Sequence, residues 1–176
     1  MNNQADETIK KLARKNTDFQ GKYRTVFAQH IEGQSPQIAV LTCADSRVIP
    51  DFIFNASIGE LFVVRVAGNV AIDKTVIESL EYAVDHLQIS HLIILGHTHC
   101  GAVKAAEETA ETTNVLLSEI QESFSLDNNH VLANLKRQLS LLPKRSEIIK
   151  KAVEKNSLHL VGALYHLEEG QVEFLD

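Results

Sequence analysis

Leu92-Ile93-Ile94-Leu95-Gly96-His97-Thr98-His99-Cys100-Gly101 decides how the rest of this chain is read. Four consecutive apolar residues with no polar alternation read as a strand buried on both faces, the pattern of a parallel sheet. The run then breaks into two histidines and a cysteine, so the reactive side chains lie at the carboxyl end of that strand. The same grammar occurs upstream, where Ile38-Ala39-Val40-Leu41 leads into Thr42-Cys43-Ala44-Asp45-Ser46-Arg47, and a further apolar run is Leu61-Phe62-Val63-Val64. Between that run and Leu92, residues Val76, Ile77, Leu80, Val84 and Leu87 recur at helical spacing. Strand, helix and strand in this order predict a right-handed crossover in a parallel sheet. Both polar clusters then open into one crevice at the carboxyl ends of the strands, where open α/β sheets hold their ligands.

Outward from this centre, residues 102–108 are strong helix formers, and Val131, Leu135, Leu139 and Leu142 share one helical face that Pro143 is expected to end. Residues 158–165 read as a fourth strand, and Glu168-Glu169-Gly170 as a turn into an antiparallel edge strand over 171–175. The expected fold class is therefore α/β, with a mostly parallel sheet of about five strands flanked by helices. At the other end, Ile9, Leu12, Phe19, Tyr23, Val26, Phe27 and Ile31 suggest two amphipathic helices. Their apolar surface exceeds what a peripheral helix needs and predicts packing on a partner subunit. The chain reads as one domain over 1–176, a helical arm at 1–33 followed by an α/β core at 34–176. Pro36, Pro50 and Pro143 are expected at changes of segment. The acid-rich stretch 107–122 reads as a solvated helical face, and Gly68-Asn69 as a turn.

A length of 176 residues and 44% hydrophobic residues support a real core. The formal net charge of −6 offers no positive field for a phosphate backbone, which argues against nucleic acid as a partner. The N-terminal stretch lacks the apolar run of a signal peptide and no later segment is long and apolar enough to span a bilayer, so a cytoplasmic location is expected. Two cysteines, Cys43 and Cys100, form no disulfide framework and leave one bridge or one metal site open.

Taken singly, Cys43, His97 and Cys100 would be read as buried thiols and a satisfied histidine. Together at the mouths of two strands they are two soft thiolates and an imidazole, three members of a Zn²⁺ ligand set. Asp45 could complete the set and close the site, or stand back and leave the fourth position to water. Arg47, two residues on, favours the second, because a carboxylate held in a bidentate pair is less available to the metal. Two thiolates cancel the charge of Zn²⁺, so water there is acidified less than at three imidazoles. Asp45 can compensate by accepting the hydrogen bond of a hydroxide nucleophile, with Arg47 keeping it ionised. His99, between two of the ligands in sequence, is a candidate proton shuttle.

Cys-x-Asp-Ser-Arg followed about fifty residues later by Gly-His-x-x-Cys-Gly resembles the signature of the β-class carbonic anhydrases. The likeness continues through Arg65-Val66-Ala67-Gly68-Asn69, Ser79-Leu80-Glu81-Tyr82-Ala83-Val84 and Val161-Gly162-Ala163-Leu164-Tyr165. The resemblance implies one zinc per subunit, a homodimer or a multiple of it, and reversible hydration of CO₂ to bicarbonate. By matching position, Cys43, His97 and Cys100 would ligate zinc, and Asp45 with Arg47 would form the catalytic dyad. One bacterial branch of the family builds a non-catalytic bicarbonate pocket on a Trp, an Arg and a Tyr. Val40 stands at the Trp position here, with Arg65 and Tyr165 as counterparts of the other two. Two other readings compete: a COS or CS₂ hydrolase on the same scaffold, and a zinc-bearing bicarbonate sensor without turnover. The intact Asp45 and Arg47 argue against the sensor.

Overall fold

A computed structural model describes the chain from Asn3 to Leu175, which divides into two compact units, one ending at Gln34 and one beginning at Ser35. The first unit holds a single helix, α1 (Asn3–His30), where two were expected. Polar side chains midway along it bond to the preceding turn, and the helix runs through. Thr17 Oγ1 donates to Ala13 O at 3.2 Å, and Gln20 Nε2 to Asn16 Oδ1 at 2.7 Å. The rings of Tyr23 and Phe27 lie 4.8 and 5.6 Å from that of Phe19, an aromatic stripe at i, i+4 and i+8. Ile9, Leu12 and Phe19 are exposed.

The second unit runs β1 (Ile38–Thr42), α2 (Pro50–Ile53), β2 (Leu61–Arg65), a 3₁₀ turn (Ala67–Asn69), α3 (Lys74–Asp85), β3 (His91–His97), α4 (Gly101–Glu108), α5 (Val115–Gln121), α6 (His130–Arg145), α7 (Glu147–Glu154), β4 (His159–His166) and β5 (Gln171–Phe174). The sheet order is β2-β1-β3-β4-β5, with only the β4–β5 pair antiparallel. From β1 the chain passes to β2 on one side and returns to β3 on the other, so the winding reverses between β1 and β3. Thr42 is in register with Leu95, so Cys43 and His97 emerge at the same end of neighbouring strands. Thr42 Oγ1 donates to Leu95 O at 2.9 Å and ties the two strands together there.

The period-two alternation of the strands divides the core between the two faces of the sheet. Ala39, Leu41, Leu92 and Ile94 pack with Leu80, Leu135, Leu142 and Ile149, while Val40, Ile93, Leu95 and Ala163 pack with Val48. Ile94 is fully buried. Ile94→Ala is expected to cost about 2–5 kcal/mol, read as a lower urea midpoint at unchanged slope.

Two expectations outside the arm are corrected. Pro36 and Pro50 do mark segment changes, but Pro143 lies inside the last turn of α6, which continues to Arg145. Its ring removes the N–H that would bond the Leu139 carbonyl, yet α6 stops only at Ser146, whose backbone is extended and which N-caps α7. Nor is 107–122 a solvated face: α4 ends at Glu108, α5 begins at Val115, and Glu119 is buried. Arg145 Nη2 donates to both Glu119 oxygens at 2.8 and 2.9 Å, and Arg137 Nε to one at 3.2 Å. Burial pushes the Glu119 carboxyl up, but those bonds outweigh it and leave it below its ordinary value. The stability that this ionised carboxylate contributes is present at neutral pH and lost as pH falls through its lowered value.

Candidate active site

β1 delivers Cys43, β3 delivers His97 as its last residue, and Cys100 is the N-cap of α4, where the helix amides favour a thiolate. All three are buried, and their ligand atoms lie within 4.8 Å of one another. Among the described residues this is the one cluster of three or more such side chains placed to hold a metal ion. The two sulfurs are 4.0 Å apart. Two thiolates on a tetrahedral zinc, at about 2.3 Å each, would stand about 3.8 Å apart.

The imidazole supplies the test of fit. His97 Nδ1 lies 2.8 Å from Thr98 O, a carbonyl that can only accept, so Nδ1 carries the proton and Nε2 keeps its lone pair. Nε2 has no hydrogen-bond partner although His97 is fully buried. An orphaned buried acceptor is costly, and one grouped with two thiols suits a soft-to-borderline cation. The contact between the two sulfurs holds the Cys43 thiol below its ordinary value and pushes the Cys100 thiol up, where burial adds to the rise. Binding a metal to the pair would release thiol protons.

Asp45 is tied on both oxygens by Arg47. Arg47 Nε donates to Oδ1 at 2.9 Å, Nη2 to Oδ2 at 2.7 Å, and the Arg47 backbone N–H to Oδ1 at 2.9 Å. The Arg47 guanidinium holds the Asp45 carboxyl well below the usual carboxylate range, so it is ionised wherever the protein is folded near neutrality. Oδ2 nevertheless lies 3.9 Å from His97 Nε2, beside the cluster without joining it. Arg47 Nη2 also donates to the His99 carbonyl at 3.2 Å.

Other groups in this crevice were not legible beforehand. Arg65, read as a counterpart of a bicarbonate-pocket arginine, donates to Cys43 O at 3.3 Å and Asp45 O at 2.7 Å, shaping the turn between the two strands. Gly68 N donates to Cys43 Sγ at 3.3 Å, so the turn 67–69 touches a candidate ligand. His99 has φ +52, a left-handed backbone, and its exposed ring pairs with Glu168. Glu168 also accepts from Thr98 Oγ1 at 2.8 Å and had been read only as part of a turn. No local pattern links residues that far apart in sequence.

The family described as carbonic anhydrase matches residues 38–172 of the chain. Carbonic anhydrase 2 of Mycobacterium tuberculosis is 34% identical over 160 residues, covering 82% of this chain and 76% of that protein. Among solved structures, the Coccomyxa β-carbonic anhydrase in complex with acetazolamide is similar at a TM-score of 0.80 and 30% identity, covering 96% of this chain and 85% of that one. One of two tetrameric β-carbonic anhydrases from Sordaria macrospora shares the fold at a TM-score of 0.81 and 20% identity, covering 99% and 98%. The resemblance first carried by two short stretches at the ends of β1 and β3 thus extends through the core, and the chain belongs to the β class of the carbonic anhydrases, the zinc enzymes that reversibly hydrate carbon dioxide to bicarbonate.

Proposed function

We propose that Cys43, His97 and Cys100 hold the zinc of this carbonate dehydratase and that Asp45 and Arg47 are its catalytic pair. The observation that carries the assignment is the unpartnered Nε2 of buried His97, grouped with two thiols and 3.9 Å from an ionised carboxylate oxygen. Zinc, when bound, supplies the Lewis acid that lowers the pKa of water toward neutrality. Asp45, fixed on both oxygens, presents an acceptor to the O–H of the attacking water and so aims its lone pair at the carbon of CO₂. Arg47 keeps that acceptor ionised and keeps it off the metal. Released from Arg47, Asp45 would be the residue able to supply a fourth ligand and close the site, since its Oδ2 lies 3.9 Å from His97 Nε2. Stopped-flow hydration with metal analysis, run beside COS and CS₂, tests the reading. One zinc per chain with CO₂ as the preferred substrate is expected, whereas zinc-loaded protein that turns over only COS or CS₂ would make it the hydrolase, and one inert toward all three the non-catalytic bicarbonate sensor.

His99, exposed and paired with Glu168, is assigned the transfer of the released proton to buffer. In dilute buffer His99→Ala should lower kcat, and added imidazole should restore it. A rate unchanged across buffer concentrations would leave the ring a solvated partner of Glu168.

We further propose that α1 packs on a second copy of the chain, making the homodimer or a multiple of it. The aromatic stripe of Phe19, Tyr23 and Phe27 and the exposed Ile9 and Leu12 support this, and the Sordaria relatives are described as tetrameric. Sedimentation at micromolar concentration should give no monomer, and a stable, fully active monomer would reject the assembly. Among the described residues no helix is long and apolar enough to cross a membrane. A ligand pair of free thiols suits a reducing compartment, which supports a cytoplasmic location.

A further inference from the structure

The inward face of α6 is apolar except for Asn134 and Gln138, one turn apart and both buried. Two amides in such a place need a reason, because each has several polar atoms to satisfy away from water. Their bonds form a directed chain. Glu119, anchored by Arg145 and Arg137, accepts from Gln138 Nε2 at 3.3 Å, and Gln138 Oε1 accepts from Ala71 N at 2.9 Å. Those two bonds fix which end of the Gln138 amide is the donor. The same Nε2 donates to Asn134 Oδ1 at 3.3 Å, which in turn fixes Asn134 with its NH₂ outward. That NH₂ donates to Gly68 O at 2.7 Å, and Gly68 N donates to Cys43 Sγ at 3.3 Å. Gly68 has φ +66, a left-handed conformation that favours glycine, and a Cβ there would meet Ile120 Cδ1 at 2.8 Å, so a side chain would strain the turn and push on Ile120.

We infer that Asn134 is a positioning residue of the zinc site: by holding the Gly68 carbonyl it keeps the Gly68 N–H on the Cys43 sulfur. The inference rests on Cys43 being a ligand, and it adds a function to that contact. Two thiolates neutralise the charge of Zn²⁺ and weaken it as a Lewis acid. An N–H aimed at one of them draws electron density from that sulfur and returns part of the positive charge to the metal. Without Asn134 the buried Gly68 carbonyl has lost its partner, the turn 67–69 is free to rotate, and the N–H leaves the sulfur.

Cobalt(II) substitution reads this directly through the sulfur-to-cobalt charge-transfer band in the near ultraviolet. A hydrogen bond lowers the energy of the sulfur donor orbitals, so Asn134→Ala is expected to move the band to lower energy, and to weaken zinc binding by about 10–100-fold in competition with a chelator. Asn134→Ser, whose shorter side chain falls short of Gly68 O while remaining polar, should move it the same way and covers the case in which the alanine variant does not fold. Leu142→Ala, in the core of the same helix, is the control for lost stability and should leave the band in place. A band and an affinity unchanged in the Asn134 variants, or shifted equally in Leu142→Ala, would overturn the inference while leaving Cys43 a ligand. Absence of any thiolate band in the unmutated protein would instead overturn the ligand assignment itself.

Discussion

Cys43→Ser is expected to lose most of its zinc and, with it, CO₂ hydration by on the order of a thousandfold or more. Water left near its bulk pKa is almost wholly un-ionised at neutral pH, and nothing else in this crevice makes a comparable nucleophile. Serine keeps the volume but its hydroxyl does not deprotonate to replace a thiolate, and the remaining Cys100 and His97 are too few for a tight tetrahedral site. The change is local, since Cys43 lies in a turn whose backbone is held independently by Arg65. His97→Ala and Cys100→Ser should give the same paired loss of metal and rate. Stoichiometric zinc with full activity in Cys43→Ser would show that the ligands have been misassigned.

Arg47→Ala separates the metal from the catalytic pair. The substitution removes both side-chain bonds that hold the Asp45 carboxylate, whose Oδ2 is already 3.9 Å from His97 Nε2. A freed carboxylate beside a Lewis acid should bind it, so activity should fall by about 100-fold or more while zinc stays bound. Closure competes with solvent for one coordination position, and deprotonated solvent competes better, so the rate should recover in part as pH rises. Asp45 does not itself supply that pH dependence, because even without Arg47 a carboxyl is ionised well below neutral pH. Asp45→Asn should behave differently: the site remains open, the anionic acceptor is lost, and the defect persists at high pH. Near-normal hydration by Arg47→Ala with water still on zinc would reduce Arg47 to a structural support.

How much of this was legible follows from the range of each interaction. The strands were, because a run such as Leu92-Ile93-Ile94-Leu95 is decided by burial on both faces and needs no knowledge of its partners. The convergence of Cys43 with His97 and Cys100 was legible too, since chain order and the crossover rule place both strand ends together. Helix ends were less so. Pro143 reads as a stop, yet α6 continues two residues past it to Arg145, and the apolar stripe of the N-terminal region reads as two helices although Thr17 and Gln20 bond along one. Glu119 looked like one more solvated acid, because sequence cannot say that Arg137 and Arg145 arrive beside it from α6. The supports of the site were the least legible. Asn134 and Arg65 act on backbone carbonyls, Gly68 through its own N–H, and Glu168 on the side chains of Thr98 and His99, all 20 to 70 positions away, and no short pattern encodes such bonds.

The account stands most directly on what surrounds the metal, and zinc-edge X-ray absorption on the unmutated protein above neutral pH measures that. Two sulfurs at about 2.3 Å with two lighter N/O neighbours at about 2.0–2.1 Å are predicted, one lighter neighbour an imidazole and the other solvent oxygen. A shell with fewer than two sulfurs, or one whose second light neighbour is a carboxylate at every pH, would contradict it.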